Sequence, residues 1–323
     1  MDIIYDIHNC SHCPTVATIG SFDGVHRGHV AMIEETKRRA AAAGMPVTLV
    51  TFARHPRLLF EREPQPFLLS SQTVRMERIA ATGVERCVVL DFDSRMAALR
   101  AEEFMTKILS EQLNVKLLVL GYDHRFGRPE PGVGTEEYVA YGRKLGMEVV
   151  RAERYDEGEL KVSSSQVRRA LSAGDIERAA TLLGYRYSIS GRVIHGAALG
   201  RTIGFPTANI ELDEPLQLLP LYGVYEVAVS VNGREYAGVI NIGTKPTVTA
   251  NGRLSVEVFI MDFDGNLYGE QLTVSFVRRI RDERKFSSLD ELKQQINEIT
   301  EAYTAAIAAA KSDIESECSM AIA

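Results

Sequence analysis

The hydrophobic pattern of this 323-residue chain changes period near residue 185, and that change restricts the fold more than any other feature. Before it, short β-branched runs at Val16–Ile19, Val47–Phe52, Cys87–Phe92, Leu117–Gly121 and Met147–Ala152 alternate with helix-like segments at Thr73–Ala81, Ala101–Leu113 and Glu136–Leu145. Nearly continuous apolar strands separated by helices predict a doubly wound α/β fold with a parallel sheet. Two capped helices, Ser165–Ala173 and Asp175–Leu183, close this half, each stopping at a glycine. After Tyr185, strand-like runs follow at Val224–Val231, Glu235–Ile242, Leu254–Met261 and Gln271–Val277, with turn signals at Asn232-Gly233, Asn251-Gly252 and Asp264-Gly265. Successive hairpins without intervening helices predict an antiparallel sheet, most simply a small barrel. A terminal helix is expected from the capping pair Ser288 and Glu291 and the stripe Leu289, Leu292, Ile296, Ile299 and Tyr303. The expected domains are residues 1–184 and 185–311, with 312–323 as a frayed tail.

Composition narrows the function. The net charge is −6 and no block of lysines or arginines occurs, which argues against nucleic acid or an anionic membrane as the main partner. No apolar run approaches membrane-spanning length, and the segment from Met1 to Asp6 lacks the pattern of a signal peptide. A cytoplasmic location is expected. Four cysteines in a chain this long do not make a disulfide framework. Cys10 and Cys13 form a Cys-x-x-Cys flanked by His8 and His12, but no second ligand pair follows, so a structural zinc is not expected.

The first half concentrates its chemistry after strands. Gly20-Ser21-Phe22-Asp23-Gly24-Val25-His26-Arg27-Gly28-His29 follows an apolar run and opens a helix-like segment reaching Ala43. Strand, glycine turn and helix start point backbone N–H groups and the helix dipole at an anion. His26 and His29 are three apart, so one face can offer two imidazoles to a phosphate as its charge develops. Thr51 to Pro56, with His55, and Gly121 to Gly127, with Asp123, Arg125 and Phe126, follow other strands at the same sheet edge. Ser163-Ser164-Ser165 begins a helix that places Arg168 one turn in, an arrangement suited to a polyphosphate.

In the second half, Gly191 to Gly196 leads into Gly200-Arg201-Thr202-Ile203-Gly204-Phe205-Pro206-Thr207-Ala208-Asn209. This is a glycine-rich loop without the Walker lysine. If the segment is extended, Thr207 and Asn209 share a face, and their oxygens suit Mg²⁺. Glu257 is a lone carboxylate in the mostly apolar run Leu254–Met261. Alternation alone favours a solvent-facing position, whereas the loop's need for a base favours catalysis.

These motifs, in this order, resemble the prokaryotic bifunctional riboflavin kinase/FMN adenylyltransferase family, also called bifunctional FAD synthetase. The match runs from about Val16 to Ala310 and includes Asn241-Ile242-Gly243, Pro246-Thr247 and Arg281-Asp282-Glu283 with Phe286. The resemblance implies a Rossmann-like nucleotidyltransferase domain, then an antiparallel β-barrel riboflavin kinase domain with a terminal helix. The barrel would make FMN from riboflavin and ATP, and the α/β half would transfer AMP from ATP to FMN, giving FAD and pyrophosphate. Thr207 and Asn209 would bind Mg·ATP, and Glu257 would deprotonate the ribityl hydroxyl. Gly196, Gly200, Arg201 and Gly204 would shape the kinase nucleotide loop. Gly20, Phe22, Asp23, Gly24, Gly28, Ser164 and Arg168 would bind the other ATP, with His26 and His29 stabilising its pentavalent α-phosphate. The flavin would meet His55, Pro56, Asp123, Arg125 and Phe126 in one half, and Asn241, Tyr268, Arg281 and Phe286 in the other.

The departures from the family pattern are Arg54, His124, Ser165-Gln166 and the loop Arg128 to Gly132, all in the first half. They leave open an alternative in which the kinase is active and the adenylyltransferase weakened. A flavin-sensing or nucleic-acid-binding barrel is the non-enzymatic rival, and intact Thr207, Asn209 and Glu257 count against it.

Overall fold

The computed structural model describes residues 1–122, 125–158, 160–196, 206–245 and 253–283. Asp123, Gly200, Arg201, Gly204, Phe286, the expected terminal helix and the tail all lie outside the described residues. The chain forms two compact units. Met1–Tyr187 and Glu214–Leu219 make the first, and Ser188–Asp213 with the described residues from Pro220 onward makes the second.

The first unit is built on six parallel strands, β1 (Asp2–Ile4), β2 (Thr15–Ile19), β3 (Val47–Phe52), β4 (Arg86–Leu90), β5 (Val115–Leu120) and β6 (Glu148–Arg151), in the order β1-β4-β3-β2-β5-β6. Strands β2 and β3 are buried throughout, threonines included, as nearly continuous apolar strands are when helices cover both sheet faces. The helices are α1 (Arg27–Ala43), α2 (Gln72–Ala81), α3 (Ser94–Ala98), α4 (Ala101–Phe104) running into a π-helical stretch Met105–Gln112, α5 (Thr135–Lys144), α6 (Ser164–Ser172) and α7 (Ile176–Leu183). A ribbon of β7 (Asp156–Glu157) and β8 (Leu160–Lys161) precedes α6. The strand order reverses between β2 and β5, so the turn after β2 opens at the topological switch point, where such sheets bind ligands. No helix among the described residues is long and apolar enough to cross a membrane.

The second unit is a closed antiparallel barrel of β9 (Ser188–Ile194), β10 (Thr207–Leu212), β11 (Gly223–Val231), β12 (Arg234–Lys245), β13 (Arg253–Ile260) and β14 (Gln271–Arg281), ordered β10-β13-β12-β11-β14-β9. Its interior is filled by alternate residues, among them Val193, Ile210, Ile240, Ile242, Val256, Val258, Val274 and Phe276. Asn232 and Gly233 both take positive φ (49° and 78°), the primed turn that matches strand twist, and join β11 to β12 as a hairpin. Asp264-Gly265 does not make a hairpin: β13 and β14 are not neighbours in the barrel, and the chain between them crosses over. The segment Glu214–Leu219, which the pattern places in the second half, packs in the first unit. Leu216 O accepts from the N–H groups of Phe67 (2.8 Å) and Leu68 (2.9 Å), and Leu218 N–H donates to Leu68 O (2.8 Å).

Candidate functional site

In the first unit, the turn from Gly20 to His26 carries three residues in the left-handed region: Phe22 (φ 48°), Gly24 (φ 78°) and Val25 (φ 36°). For a β-branched valine this conformation is strained, and it persists only where the surroundings over-determine it. They do so here. Asp23 is 2% exposed and accepts from Leu69 N–H at 2.9 Å and from Arg168 Nη2 at 2.5 Å. Ser164 Oγ donates to Asp23 O (3.1 Å), Arg75 Nη1 donates to Ser21 O (3.0 Å), and the Tyr185 hydroxyl donates to Gly24 O. Burial pushes the Asp23 carboxyl up, and the Arg168 guanidinium pulls it back.

The turn delivers His26 as the N-cap of α1. Its Nδ1 accepts from His29 N–H (3.2 Å), and its ring stacks on that of His29 with centroids 3.7 Å apart and planes 14° from parallel. Gly28 lets the ring lie close: a Cβ there would sit 3.2 Å from His26 Nδ1, a tight contact. Burial holds His26 at a pKa of about 4, so its imidazole is neutral at pH 7. A neutral ring accepting through Nδ1 carries its proton on Nε2. The cap therefore fixes His26 as a hydrogen-bond donor through Nε2, beside the positive end of a 17-residue helix.

The other expected residues of this half separate into two groups. His55 caps a 3₁₀ turn at Pro56–Leu59 and meets the Phe67 ring edge-on at 5.0 Å; burial, then the nearby Arg168 and Arg75 charges, lower its pKa to about 4. Arg168 Nε donates to Phe67 O (2.7 Å), which ties this group to the turn. Phe126 is not gathered there. Its ring stacks on Tyr138 at 4.5 Å and lies 5.4 Å from Phe104, against the apolar cluster of β5 and α5, while Arg125 is exposed. Arg168 and Ser164, expected to hold phosphates directly, direct their described hydrogen bonds to Asp23 and Phe67, and so hold the turn.

Arg75 escaped sequence reasoning. It is 5% exposed and donates to the carbonyls of Ser21 and Phe52 (2.7 Å), which joins the carboxyl ends of β2 and β3. An arginine in a helical run carries no mark of burial in its spacing.

In the barrel, Glu257 lies on β13 between two asparagines in register, Asn209 on β10 and Asn241 on β12. Val256 and Val258 on either side of it point into the core, so this row lies on the other face. Thr207 Oγ donates to Glu257 Oε2 at 3.3 Å, and Ser255 Oγ donates to Oε1 at 2.9 Å. Each carboxylate oxygen is thereby oriented and keeps further lone pairs. Glu257 is half-buried, not a bare surface acid. Ser255 was also missed, although period two places it on the face of Glu257. Gly196 lies against this group, since a Cβ there would collide with the Asn209 amide. A cavity of about 240 Å³ beside Thr207 is lined by Pro206, Phe263, Asn266 and Tyr268, and Tyr268 stacks on His195 at 3.9 Å. Arg281 ends β14, and its Nη1 donates to Asp282 O (2.9 Å).

The hydroxyl of Thr207, the amide of Asn209 and the carboxylate of Glu257 are hard oxygen donors on adjoining strands, a set that fits a divalent cation sharing its shell with phosphates and water. Among the described residues no group of three or more His, Cys, Asp or Glu could hold a metal.

Comparison with known proteins finds two successive matched segments. The FAD synthetase family model matches residues 8–166, and the riboflavin kinase model matches residues 183–306. Bifunctional riboflavin kinase/FMN adenylyltransferases from Pseudomonas fluorescens and Escherichia coli K12 are 41% and 40% identical, each over 92% of this chain and 95% of its own length. The Bacillus subtilis enzyme of that name is 38% identical over 87% of this chain and 89% of its own. A solved structure described as a macrolide-efflux protein from Streptococcus pneumoniae superposes with a TM-score of 0.82 at 31% identity, covering 93% of this chain and 97% of that one. With a strained, histidine-capped glycine turn in one unit, a supported carboxylate on the barrel of the other, and relatives matched along nearly their whole length, this chain belongs to the bifunctional riboflavin kinase/FMN adenylyltransferase family.

Proposed function

We infer that this chain makes FAD in two ATP-dependent steps, phosphorylating riboflavin in the barrel and adenylylating FMN at the α/β turn. Matches to both family models support two active halves and do not favour the kinase-only alternative. The observation that carries the kinase assignment is Glu257, whose two oxygens are held by Thr207 and Ser255 beside a cavity. In this reading Glu257 takes the proton of the ribityl hydroxyl as it attacks the γ-phosphorus of ATP. The Thr207 proton is committed to Glu257, which leaves its oxygen lone pairs for the cation. Asn209 supplies the second protein oxygen. Mg²⁺ is the cation of choice for this donor set and would neutralise phosphate charge when bound. Tyr268 and Asn241 flank the flavin side, with Arg281 beyond them.

At the turn, in-line attack of the FMN phosphate on the α-phosphorus of ATP expels pyrophosphate, with no covalent enzyme intermediate. His26 donates through Nε2 to the developing negative charge, and His29, stacked on it, lies on the same face. Asp23, Ser164 and Arg168 act by holding the turn, and His55 and Pro56 border the substrate side. Residues 1–184 then serve as the adenylyltransferase domain, with Glu214–Leu219 completing it, and residues 185–311 serve as the kinase. The test is purified protein with riboflavin, ATP and Mg²⁺, the flavins being separated by chromatography. FMN and FAD together are expected. FMN alone would restore the kinase-only reading, and neither product would overturn the assignment.

A further inference from the structure

Cys10 and Cys13 take no part in either reaction, yet the fold gives them a common partner. Arg86 opens β4 at the amino edge of the parallel sheet, opposite the edge that carries the nucleotide turn. Its Nη1 donates to Cys10 Sγ (3.8 Å) and its Nη2 to Cys13 Sγ (3.6 Å), so one guanidinium fork spans both sulfurs. Both cysteines are half-buried, unlike Cys87 in the core.

The flanking histidines do not turn this into a metal site. His12 Nδ1 lies 3.4 Å from Gln112 O, and its carbonyl accepts from Asn114 Nδ2 (2.9 Å). His8 lies in the short 3₁₀ turn Ile7–Asn9, and no three metal-ligating side chains converge among the described residues. What remains is a dithiol against a fixed cation, the setting that raises thiolate content. A hydrogen bond to Ser11, then the one from Arg86, lower the Cys13 pKa. By contrast, burial pushes Cys87 up to about 12, which makes it an unreactive core residue.

We propose that Cys10 and Cys13 form a redox-active dithiol, with Cys13 as the attacking thiolate, Cys10 as the resolving thiol, and low-molecular-weight disulfides as the oxidant. The Cys13 thiolate attacks one sulfur of the disulfide RSSR, forming a mixed disulfide and releasing RS⁻, which takes up a proton. The Cys10 thiol gives up its proton to solvent and its sulfur attacks Cys13 Sγ, closing the Cys10–Cys13 bond and releasing a second RS⁻. Two protein thiols are oxidised and one RSSR is reduced to two RSH.

The test uses the full chain carrying Cys318→Ser, so that no thiol from outside the described residues competes. After incubation with oxidised glutathione, intact mass and peptide mapping should show the loss of two hydrogens and a Cys10–Cys13 link. In the same background, Cys10→Ser should stop at a glutathione adduct on Cys13. At neutral pH, Arg86→Gln should slow Cys13 alkylation by iodoacetamide severalfold, because thiolate falls about tenfold per unit rise in pKa below the midpoint. Arg86→Lys, which keeps the charge in that strand, should recover part of the rate. Two free thiols under glutathione, an adduct confined to Cys10, or an alkylation rate indifferent to both Arg86 variants would overturn the proposal. So would one tightly held zinc per reduced chain.

Discussion

Replacing Arg168 by methionine separates a residue that builds the turn after β2 from one that binds phosphate. Methionine keeps the apolar stem but removes the cation from Asp23, which is 2% exposed, together with the 2.7 Å bond to Phe67 O. Breaking a buried ion pair from one side costs about 3–5 kcal/mol, because the remaining charge stays desolvated. Asp23 keeps the Leu69 N–H bond and can escape by taking up a proton, so the lower end, about 3 kcal/mol, is the better figure. For a unit of this size that lowers the melting temperature by roughly 6–12 °C. The pH dependence has a definite sign. Without Arg168 the Asp23 carboxyl, already raised by burial, rises further above its unfolded value of about 3.9. A group raised in this way contributes full stability below its unfolded pKa and loses it as pH rises. The deficit relative to wild type should therefore be small near pH 4 and grow towards neutrality. Calorimetry reads this directly, with kinase turnover as a check that the barrel is intact. An unmoved first-unit transition with a raised KM for ATP in FMN adenylylation would refute the reasoning and return Arg168 to the phosphates.

Glu257→Ala should lower riboflavin phosphorylation by about 10²–10⁴ while FAD formation from supplied FMN continues, as initial rates of the two steps will show. His26→Asn with His29→Asn should abolish adenylylation and spare the kinase; FAD made at the wild-type rate would reduce the stacked pair to a structural cap. His26 and His55 are both held at about 4 by burial against an unfolded value near 6.5, so the unfolded chain takes up protons first on acidification. The first unit should lose up to about 3 kcal/mol per histidine between pH 6.5 and 4, visible as a falling melting temperature that His55→Gln makes shallower. Gly196→Ala should raise the kinase KM for Mg·ATP by displacing the Asn209 amide, measured by Mg²⁺ titration at fixed ATP.

The turn after β2 was legible because its demands are local: glycines where backbone must bend or a ring must pass, and histidines at a helix start. The sheet was legible because strands buried on both faces show in composition. The hydrogen bonds of Arg168 and Ser164 to Asp23 were not, since Asp23 lies 145 and 141 residues away and no local pattern encodes that pairing. Alternation was right that Glu257 lies off the barrel core. Its hydroxyl supports come from the diagonal cross-strand position of Thr207, which depends on register, and from Ser255, which period two would have found. The β13–β14 crossover was misread because a turn signal reports a bend and not which strands pair.

The return of Glu214–Leu219 to the first unit bears on how the protein is made. Leu216 and Leu218 hydrogen-bond the backbone of Phe67 and Leu68, Gln217 Nε2 donates to Leu69 O (3.4 Å), and Leu69 N–H in turn holds Asp23. During synthesis, the turn after β2 cannot reach its final form when Tyr187 leaves the ribosome. It must wait until β9 and β10 have been translated and Leu219 has followed. Until then the backbone of Phe67–Leu69 waits in water, and a nascent chain arrested at Tyr187 should bind ATP poorly at this turn, however well its sheet has formed.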